Sequence, residues 1–280
     1  MTIEERRKRN NAYWKSRTLK QRARLFNRAV SELDGELARQ YQRVAKRLKI
    51  EILNLVEVSR NADGELSVSD LYKEGRYYKL MNQINTELEK LGLKQINSIG
   101  DTLADVYEKQ SAITAGEFGL YSTVDTEAAK MVVNELWCSD GKGFSDRIWK
   151  NKQALTDKLE QSLFDFVSRG QPTAQLEKDL ISQQMGAPFR SLGDILDDDF
   201  KEAYNNARRL VRTETARIQN RATQDRYREA GFTKYRIIAE PDCCEVCDDL
   251  SKEVFDIDDL VIPAHPNCRC AMSAITESLI

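Results

Sequence analysis

Five of the six cysteines and the only histidine of this 280-residue chain fall within residues 243–270. In sequence order they read Cys-Cys-x2-Cys-x17-His-x2-Cys-x-Cys. A Cys-x2-Cys turn presents two thiolates on one side of a tight knuckle, and a His-x2-Cys turn can supply two further ligands. Thiolate together with imidazole suits zinc, which is bound tetrahedrally and has no redox chemistry. We therefore predict a structural zinc site with these ligands: Cys244, Cys247, His265 and Cys268, with Cys270 as the alternate ligand.

The same residues allow other interpretations. Two disulfides would be favoured if the protein works outside a cell, and unliganded thiols are a third alternative. A zinc deaminase needs His-x-Glu ahead of Pro-Cys-x2-Cys, whereas His265 follows the cysteine pair. A Cys-His nucleophile pair with His265 as base is also conceivable. Because Pro263, Pro266 and crowded thiols surround the histidine, we favour a purely structural site and predict neither catalytic residues nor an enzyme.

Charge is distributed unevenly along the chain, although the formal net charge is only -2. Residues 1–49 contain 15 Lys or Arg against 5 Asp or Glu, whereas residues 240–260 contain nine acidic residues and one base. Clustered bases neutralise DNA phosphates without reading sequence. We predict sequence-independent contact with double-stranded DNA, although an acidic protein surface would explain the same charge. The predicted contacts are Arg6, Arg7, Lys8, Arg9, Arg17, Lys20, Arg22, Arg24 and Arg28.

Hydrophobic periodicity predicts long helices over most of the chain. From Glu4 to Val58, apolar residues recur at steps of three and four, with arginines such as Arg22 on the other sides. This apolar face consists of Leu25, Ala29, Leu33, Leu37, Tyr41, Val44, Leu48, Ile52 and Leu55. A second helical region is expected from Ser69 to about Gln110, broken near Gly92 and Gly100.

The second half of the chain begins after a flexible break at residues 138–143. We predict helices from Phe144, over 173–185 and over 200–229, and a loop with an acidic end over 186–199. After Gly231 the pattern changes to short strands. These strands are expected at residues 235–239, 254–255, 260–262 and 270–275.

These elements predict a mainly α protein that ends in a small α+β module stapled by zinc. Three regions are expected: a basic N-terminal helical region over 1–140, a helical core over 141–232 and a Cys/His-rich β module over 233–280. The sequence has no apolar run approaching the roughly 20 residues that span a bilayer, and its first residues lack the apolar stretch of a secretory signal. We therefore expect no membrane partner, and a cytoplasmic setting in which thiols stay reduced.

Several short motifs occur together in the second half of the chain. They are Phe144–Trp149 (FSDRIW), Arg169-Gly170-Gln171, Arg212–Ala216 (RTETA) on a helix, Cys244-x2-Cys247, Val254-Phe255 and His265–Cys270 (HPNCRC). Together, from about Phe144 to Ile275, they resemble the minor head, or head-morphogenesis, proteins of tailed phages, typified by the F protein of phage Mu. Cys243 departs from the family pattern, in which this position is usually not a cysteine.

The resemblance implies a protein present in few copies that associates with the portal inside the assembling head, together with capsid or scaffold. It implies a virion protein, found in the host cytoplasm during assembly, that aids head assembly, DNA packaging or DNA delivery, including ejection with the DNA. Two alternatives are an enzyme or toxin-like activity carried in the particle, and a free non-specific DNA-binding protein. From the residues themselves, we expect Arg212, Thr213 and Glu214 to form a buried polar network that locks their helix onto the zinc module, because buried charge persists only when paired.

Overall fold

The computed structural model describes residues 3–59, 68–119, 124, 126–168 and 192–275, with the side chains of α1 described from Arg17 onward. Most of these residues are helical, and a small sheet lies near the C-terminus, which confirms the predicted mainly α fold with a small C-terminal α+β module. The predicted helix at 173–185 lies outside the described residues. The helices are α1 (Ile3–Val58), α2 (Val68–Tyr72) followed by a 3-10 turn (Lys73–Gly75), α3 (Arg76–Glu117), α4 (Thr126–Val133), α5 (Phe144–Ser168), α6 (Leu192–Glu229) and α7 (Glu245–Ser251). The strands are β1 (Lys234–Ile238), β2 (Val254–Asp256) and β3 (Ala271–Ala274).

The chain divides into two compact units, each assembled from segments that are distant in sequence. Unit 1 combines Met1–Gly35, Asn97–Phe144 and Arg208–Ile280. Unit 2 combines Glu36–Ile96 and Ser145–Ala207. The division predicted from the sequence follows chain order, whereas these units do not, because α1, α3 and α6 each contribute residues to both.

The sheet of unit 1 is antiparallel, with strand order β2-β1-β3. Along the central strand, Tyr235 and Ile237 are buried while Lys234 and Arg236 are exposed, the alternation expected of a strand with one covered face. Tyr235 pairs with residues of both neighbouring strands. Three of the four predicted strands are thus confirmed.

The fourth predicted strand, over 260–262, is wrong. Its backbone is satisfied by a side chain instead of a sheet partner: the Val261 N–H donates to Tyr235 Oη at 3.3 Å, and that hydroxyl donates to the Asp259 carbonyl at 2.6 Å. An apolar sequence next to a buried tyrosine therefore forms an ordered loop, since buried backbone groups accept any partner of suitable geometry.

Helix α3 runs without interruption through both glycines at which breaks were predicted. At Gly92 an added Cβ would lie 2.7 Å from Cζ3 of Trp149, both in unit 2. At Gly100 an added Cβ would lie 3.6 Å from Cζ of Phe144, both in unit 1. The helix interior tolerates these glycines, and Gly92 allows a ring to pack on the backbone.

Helix α6 begins earlier than predicted, so the predicted loop is wrong from residue 192 onward. Leu192 and Leu196 are fully buried, and Phe200 continues the same face at intervals of four residues. Asp194 lies in the first turn, where the helix dipole favours a negative charge. The acidic run therefore starts a helix, and the predicted end at Glu229 is confirmed.

The remainder of α6 forms the centre of unit 1. Every residue from Thr213 to Asn220 is buried, although most of these side chains are polar. A helix buried on all sides needs internal partners for most of its polar groups, and among the described residues only Oε1 of Gln219 and Oδ1 of Asn220 in this stretch lack one. These partners link α6 to the irregular segments of unit 1, including the Cys/His module.

Candidate metal centre

Two short turns carry the candidate ligands. Cys244 directly precedes α7, where its carbonyl accepts a hydrogen bond from the Asp248 N–H at 3.0 Å, and Cys247 lies in the first turn of the helix. The second turn closes when the Cys268 N–H donates to the His265 carbonyl at 3.1 Å. Asn267 between them has a φ of 67°, a left-handed conformation that asparagine tolerates better than most residues.

The structure gathers all five predicted ligands around Cys247. Nε2 of His265 lies 3.1 Å from Sγ of Cys244 and 3.1 Å from Sγ of Cys247. On the other side, Sγ of Cys247 lies 3.7 Å from Sγ of Cys268. Cys247 thus belongs to two triads, Cys244-Cys247-His265 and Cys247-Cys268-Cys270, and within each triad the ligand atoms lie within 4.8 Å of one another.

The imidazole of His265 is oriented for coordination. Its Nδ1 lies 2.8 Å from the carbonyl oxygen of Pro266. Because a carbonyl oxygen can only accept, Nδ1 carries the proton in this contact, and neutral His265 then offers the lone pair of Nε2 to the thiols. A hydrogen bond of this kind to the distal ring nitrogen is the usual way in which proteins fix a histidine ligand.

Neighbouring groups shift the pKa values of the thiols in opposite directions. A hydrogen bond from the Cys270 thiol is the main reason why the pKa of Cys268 is lowered to about 5. The backbone N–H of Cys247 lowers the pKa of Cys244. Burial raises the pKa of Cys247 to about 12, and the thiol contact with Cys268 raises the pKa of Cys270. A metal entering the cluster therefore finds a thiolate at Cys268, and it must displace the protons that the other thiols still carry.

The donor set fits zinc. Four ligands arranged tetrahedrally at ~2.3 Å from zinc place two sulfurs about 3.8 Å apart, close to the observed Cys247–Cys268 separation of 3.7 Å. All six cysteines are described and all are free, so no disulfide joins any of them. Cys243 is half-buried and belongs to neither triad.

Amide and hydroxyl side chains of α6 hold the loops that carry the ligands. The Asn267 N–H donates to Oγ1 of Thr213 at 3.0 Å, and Nδ2 of Asn220 donates to the Cys270 carbonyl at 3.1 Å. One turn further on, Nε2 of Gln224 donates to the Ile257 carbonyl at 2.6 Å. Thr213, Asn220 and Gln224 follow intervals of seven and four, so they share one helix face. Sequence analysis missed Asn220 and Gln224; their helical spacing on a helix with a sparse apolar stripe was the available signal.

A buried ion pair lies beside this face of α6. Glu214 and Arg217 are each 1% exposed, and Nε of Arg217 donates to the carboxylate at 2.8 Å. Arg217 also donates to the carbonyls of Val132 and Val133 at the end of α4, and Glu214 accepts from Nε1 of Trp137. Thr213 therefore contacts the Cys/His module as predicted, whereas Glu214 anchors α4 instead, and Arg212 is half-buried.

The predicted DNA contacts divide into three groups. The side chains of Arg6, Arg7, Lys8 and Arg9 lie outside the described part of α1. Arg17, Lys20, Arg24 and Arg28 are exposed, and Arg28 forms an ion pair with Glu32 at 2.9 Å. Arg22 is only 7% exposed, which corrects the expectation that it lies on an outer side of the helix.

Arg22 faces the interior because that side of α1 packs on the Cys/His module, where Nη2 donates to the Cys270 carbonyl at 3.4 Å. It also lines a cavity of about 660 Å³ in unit 1 whose walls are mostly apolar. Lys20 and Arg269 are the other bases of this cavity, and Glu240 is its acid.

Fold and site together define a helical protein whose terminal module, a small sheet with Cys and His loops, can hold a metal ion. Residues 157–273 match the family model described as Phage Mu protein F like protein, so this segment is similar to that family of phage proteins. This confirms the family resemblance predicted from the sequence. Searches of curated proteins and of solved structures gave no significant match.

The match covers somewhat less than half of the chain, and it links the second half to phage Mu F-like proteins. No helix among the described residues is both long and apolar enough to cross a bilayer.

Proposed function

We propose that this protein is a minor head protein that binds the portal inside the phage head and aids head assembly, DNA packaging or DNA delivery. The observation that carries the proposal is the family match over residues 157–273, which includes all of α6 and most of the Cys/His module. Within that segment, the hydrogen bonds of Thr213, Asn220 and Gln224 hold α6 to the loops of the Cys/His module.

Co-expression with the portal protein tests the partner. The full chain should co-purify with portal at a defined stoichiometry, and in intact DNA-filled heads it should resist an added protease until the heads are opened. Digestion in intact heads would place it outside, and recovery only in the unassembled cytosolic fraction would favour a free DNA-binding protein.

Zinc in this proposal is a structural cofactor that fixes the loops of the Cys/His module. A small module with little apolar core gains much of its folding free energy from metal binding. The clustered thiols and the oriented Nε2 of His265 support zinc over metals that prefer oxygen ligands. Native mass spectrometry of the reduced full chain should give one zinc per chain that a strong chelator removes. A metal-free chain with an unchanged fold would contradict the zinc site.

Non-specific DNA contact is proposed for the N-terminal part of α1. Lys20 and Arg24 are exposed there, whereas the buried Arg22 is not part of this surface. Replacing both exposed bases by glutamine should reduce the slope of log affinity against log salt by about 0.9 for each phosphate that the protein ceases to neutralise. The same change at the exposed pair Arg43 and Lys46 is the matched control and should leave the slope unchanged.

An acidic head-protein segment is the alternative partner for this region. The cavity beside Lys20 has apolar walls and three bases against one acid, which suits a peptide better than a phosphate backbone. Wild-type binding to duplex DNA that shows no salt dependence would favour this alternative.

Catalysis is the second candidate function, and one observation favours it. Cys244 is exposed, its pKa is lowered, and Nε2 of His265 lies 3.1 Å from its sulfur, the arrangement of an activated thiol. Iodoacetamide should alkylate Cys244 quickly in chelated protein and slowly in zinc-loaded protein if the thiol is a ligand. Equally fast alkylation in both would favour a reactive Cys-His site.

A further inference from the structure

Arg22 is a buried cation next to the candidate metal centre, and no carboxylate of the described residues forms an ion pair with it. Among the described residues, no Asp or Glu oxygen lies within ion-pair distance of its guanidinium, and Nη1 has no hydrogen-bond partner there. Its one described side-chain bond runs from Nη2 to the carbonyl of Cys270. The ionisable groups around it are Tyr227, Glu240, Cys268 and Cys270.

A buried arginine requires a nearby negative charge, because its guanidinium does not lose its proton in proteins and isolated burial of charge is costly. The metal centre supplies that charge. Zinc with three thiolates and a neutral imidazole carries a net charge of -1, and two of the candidate thiolates, Cys268 and Cys270, belong to the segment that Arg22 contacts. A loaded centre and Arg22 together are therefore neutral.

We propose that Arg22 is the counter-cation of the loaded metal centre, and that metal occupancy in turn holds this part of α1 on the Cys/His module. The inference rests on the proposed zinc site. Arg22 acts as a positioning residue: it contacts the backbone of Cys270 and leaves the sulfur free for the metal. Asn220 donates to the same carbonyl, so the position of that loop does not depend on Arg22 alone.

The role of the Arg22 charge is tested by the zinc affinity of the full chain, which is measured by competition with a chelator of known affinity. Arg22→Gln keeps an N–H donor and removes the charge, and we expect it to weaken zinc binding about 10- to 100-fold, as other outer-shell changes do. Arg22→Lys keeps the charge, because the anionic loaded centre beside it favours the protonated amine, and it should stay within about threefold of wild type. Arg28→Gln, on the same helix but exposed, is the matched control and should not change the affinity.

The main competing explanation is that Glu240 is the counterion of Arg22. In that case Glu240→Gln would destabilise the metal-free protein as strongly as the zinc-loaded protein, and Arg22→Gln would bind zinc with wild-type affinity. Either result would overturn the proposal. If Arg22→Gln does not fold, Arg22→Lys still decides, since a loss of zinc affinity in a variant that retains the charge would contradict the role assigned here.

Hydrogen exchange in the amides of residues 20–28 tests the coupling to α1. Zinc loading should slow exchange there in wild type, and the zinc-dependent difference should shrink in Arg22→Gln and persist in Arg28→Gln. Zinc binding with no change in exchange would contradict the coupling. Failure of the wild-type chain to bind any zinc would instead contradict the proposed metal site itself, so the two failures are distinguishable.

Discussion

The two compact units bury cations in different ways. In unit 1, Arg217 is paired with Glu214, and Arg22 lies among the thiols of the Cys/His module. In unit 2, Lys152 is only 3% exposed, and its Nζ donates to Oη of Tyr41 at 2.5 Å and lies 4.2 Å from the ring centroid. Burial alone lowers the pKa of Lys152 to about 7.

The difference follows from the chemistry of the two cations. A buried lysine can lose its proton and remain in the interior as a neutral amine, whereas an arginine stays charged. Unit 1 therefore needs acids or a metal–thiolate centre at fixed positions, and unit 2 needs only a hydroxyl acceptor. We expect the stability of unit 1 to fall when a counter-charge is removed, and the stability of unit 2 to vary with pH.

The largest effect is expected from Cys247→Ser, because Cys247 is the ligand shared by both triads. Structural zinc sites contribute on the order of 10 kcal/mol of apparent free energy to small domains. We expect loss of zinc, measured by native mass spectrometry, and loss of protection from hydrogen exchange across residues 243–275. Cys138→Ser, outside the cluster, is the control. If the module of Cys247→Ser stays ordered without zinc, the metal does not hold the module together.

The next largest effect concerns the acid partner in unit 1. Glu214→Gln leaves Arg217 charged and buried without a carboxylate, which typically costs about 3–5 kcal/mol of unfolding free energy. Glu127→Gln is the control, since Glu127 pairs with Lys130 on the surface and such pairs contribute roughly 0–1 kcal/mol. Denaturant unfolding measures both. Equal effects of the two changes would show that unit 1 does not depend on charge compensation.

In unit 2, Lys152→Met should change how stability varies with pH. The folded-state pKa of Lys152 is about 7 and its ordinary value is 10.5, so between these values only the unfolded chain binds the proton. The contribution of Lys152 to stability is therefore full above pH 10.5 and is lost as pH falls toward 7, by at most about 1.4 kcal/mol per pH unit. Wild type should gain stability relative to Lys152→Met between about pH 7 and 9; a constant difference would contradict a neutral buried lysine.

The smallest effect is steric and gives a reference that pH should not change. Gly92→Ala in unit 2 forces a Cβ against the Trp149 ring and should destabilise the protein by about 1–3 kcal/mol. Gly116→Ala in the same helix meets nothing within 4 Å and should stabilise it by roughly 0.5–1 kcal/mol. Thermal unfolding at two pH values measures both. A pH-dependent effect of Gly92→Ala would show that this reference is not purely steric.

Much of the site was predictable because its ligands are close together in the chain. Spacing alone predicted that Cys244, Cys247, His265 and Cys268 form one site. The structure brings these side chains together, with Cys247 shared by both triads. The long helices were predictable from periodicity, apart from the wrongly predicted breaks in α3 and the start of α6, and three strands were predictable from alternation. The strand prediction for residues 260–262 was wrong because the hydroxyl of Tyr235, which is distant in sequence, and not the local pattern, determines the hydrogen bonds of this segment.

The sequence by itself determined the mainly helical fold, the family resemblance of residues 157–273 and the Cys/His cluster, since each depends on residues near one another or on a regular repeat. Only the tertiary structure decided which polar side chains enter the interior. In the sequence, Arg22 cannot be distinguished from its exposed neighbours on α1. It is buried because it contacts Cys270, which is 248 residues away in the chain. Asn220, Gln224 and Gly92 are similar cases: local pattern fixes the face of a helix, and contacts made by remote segments determine what that face meets.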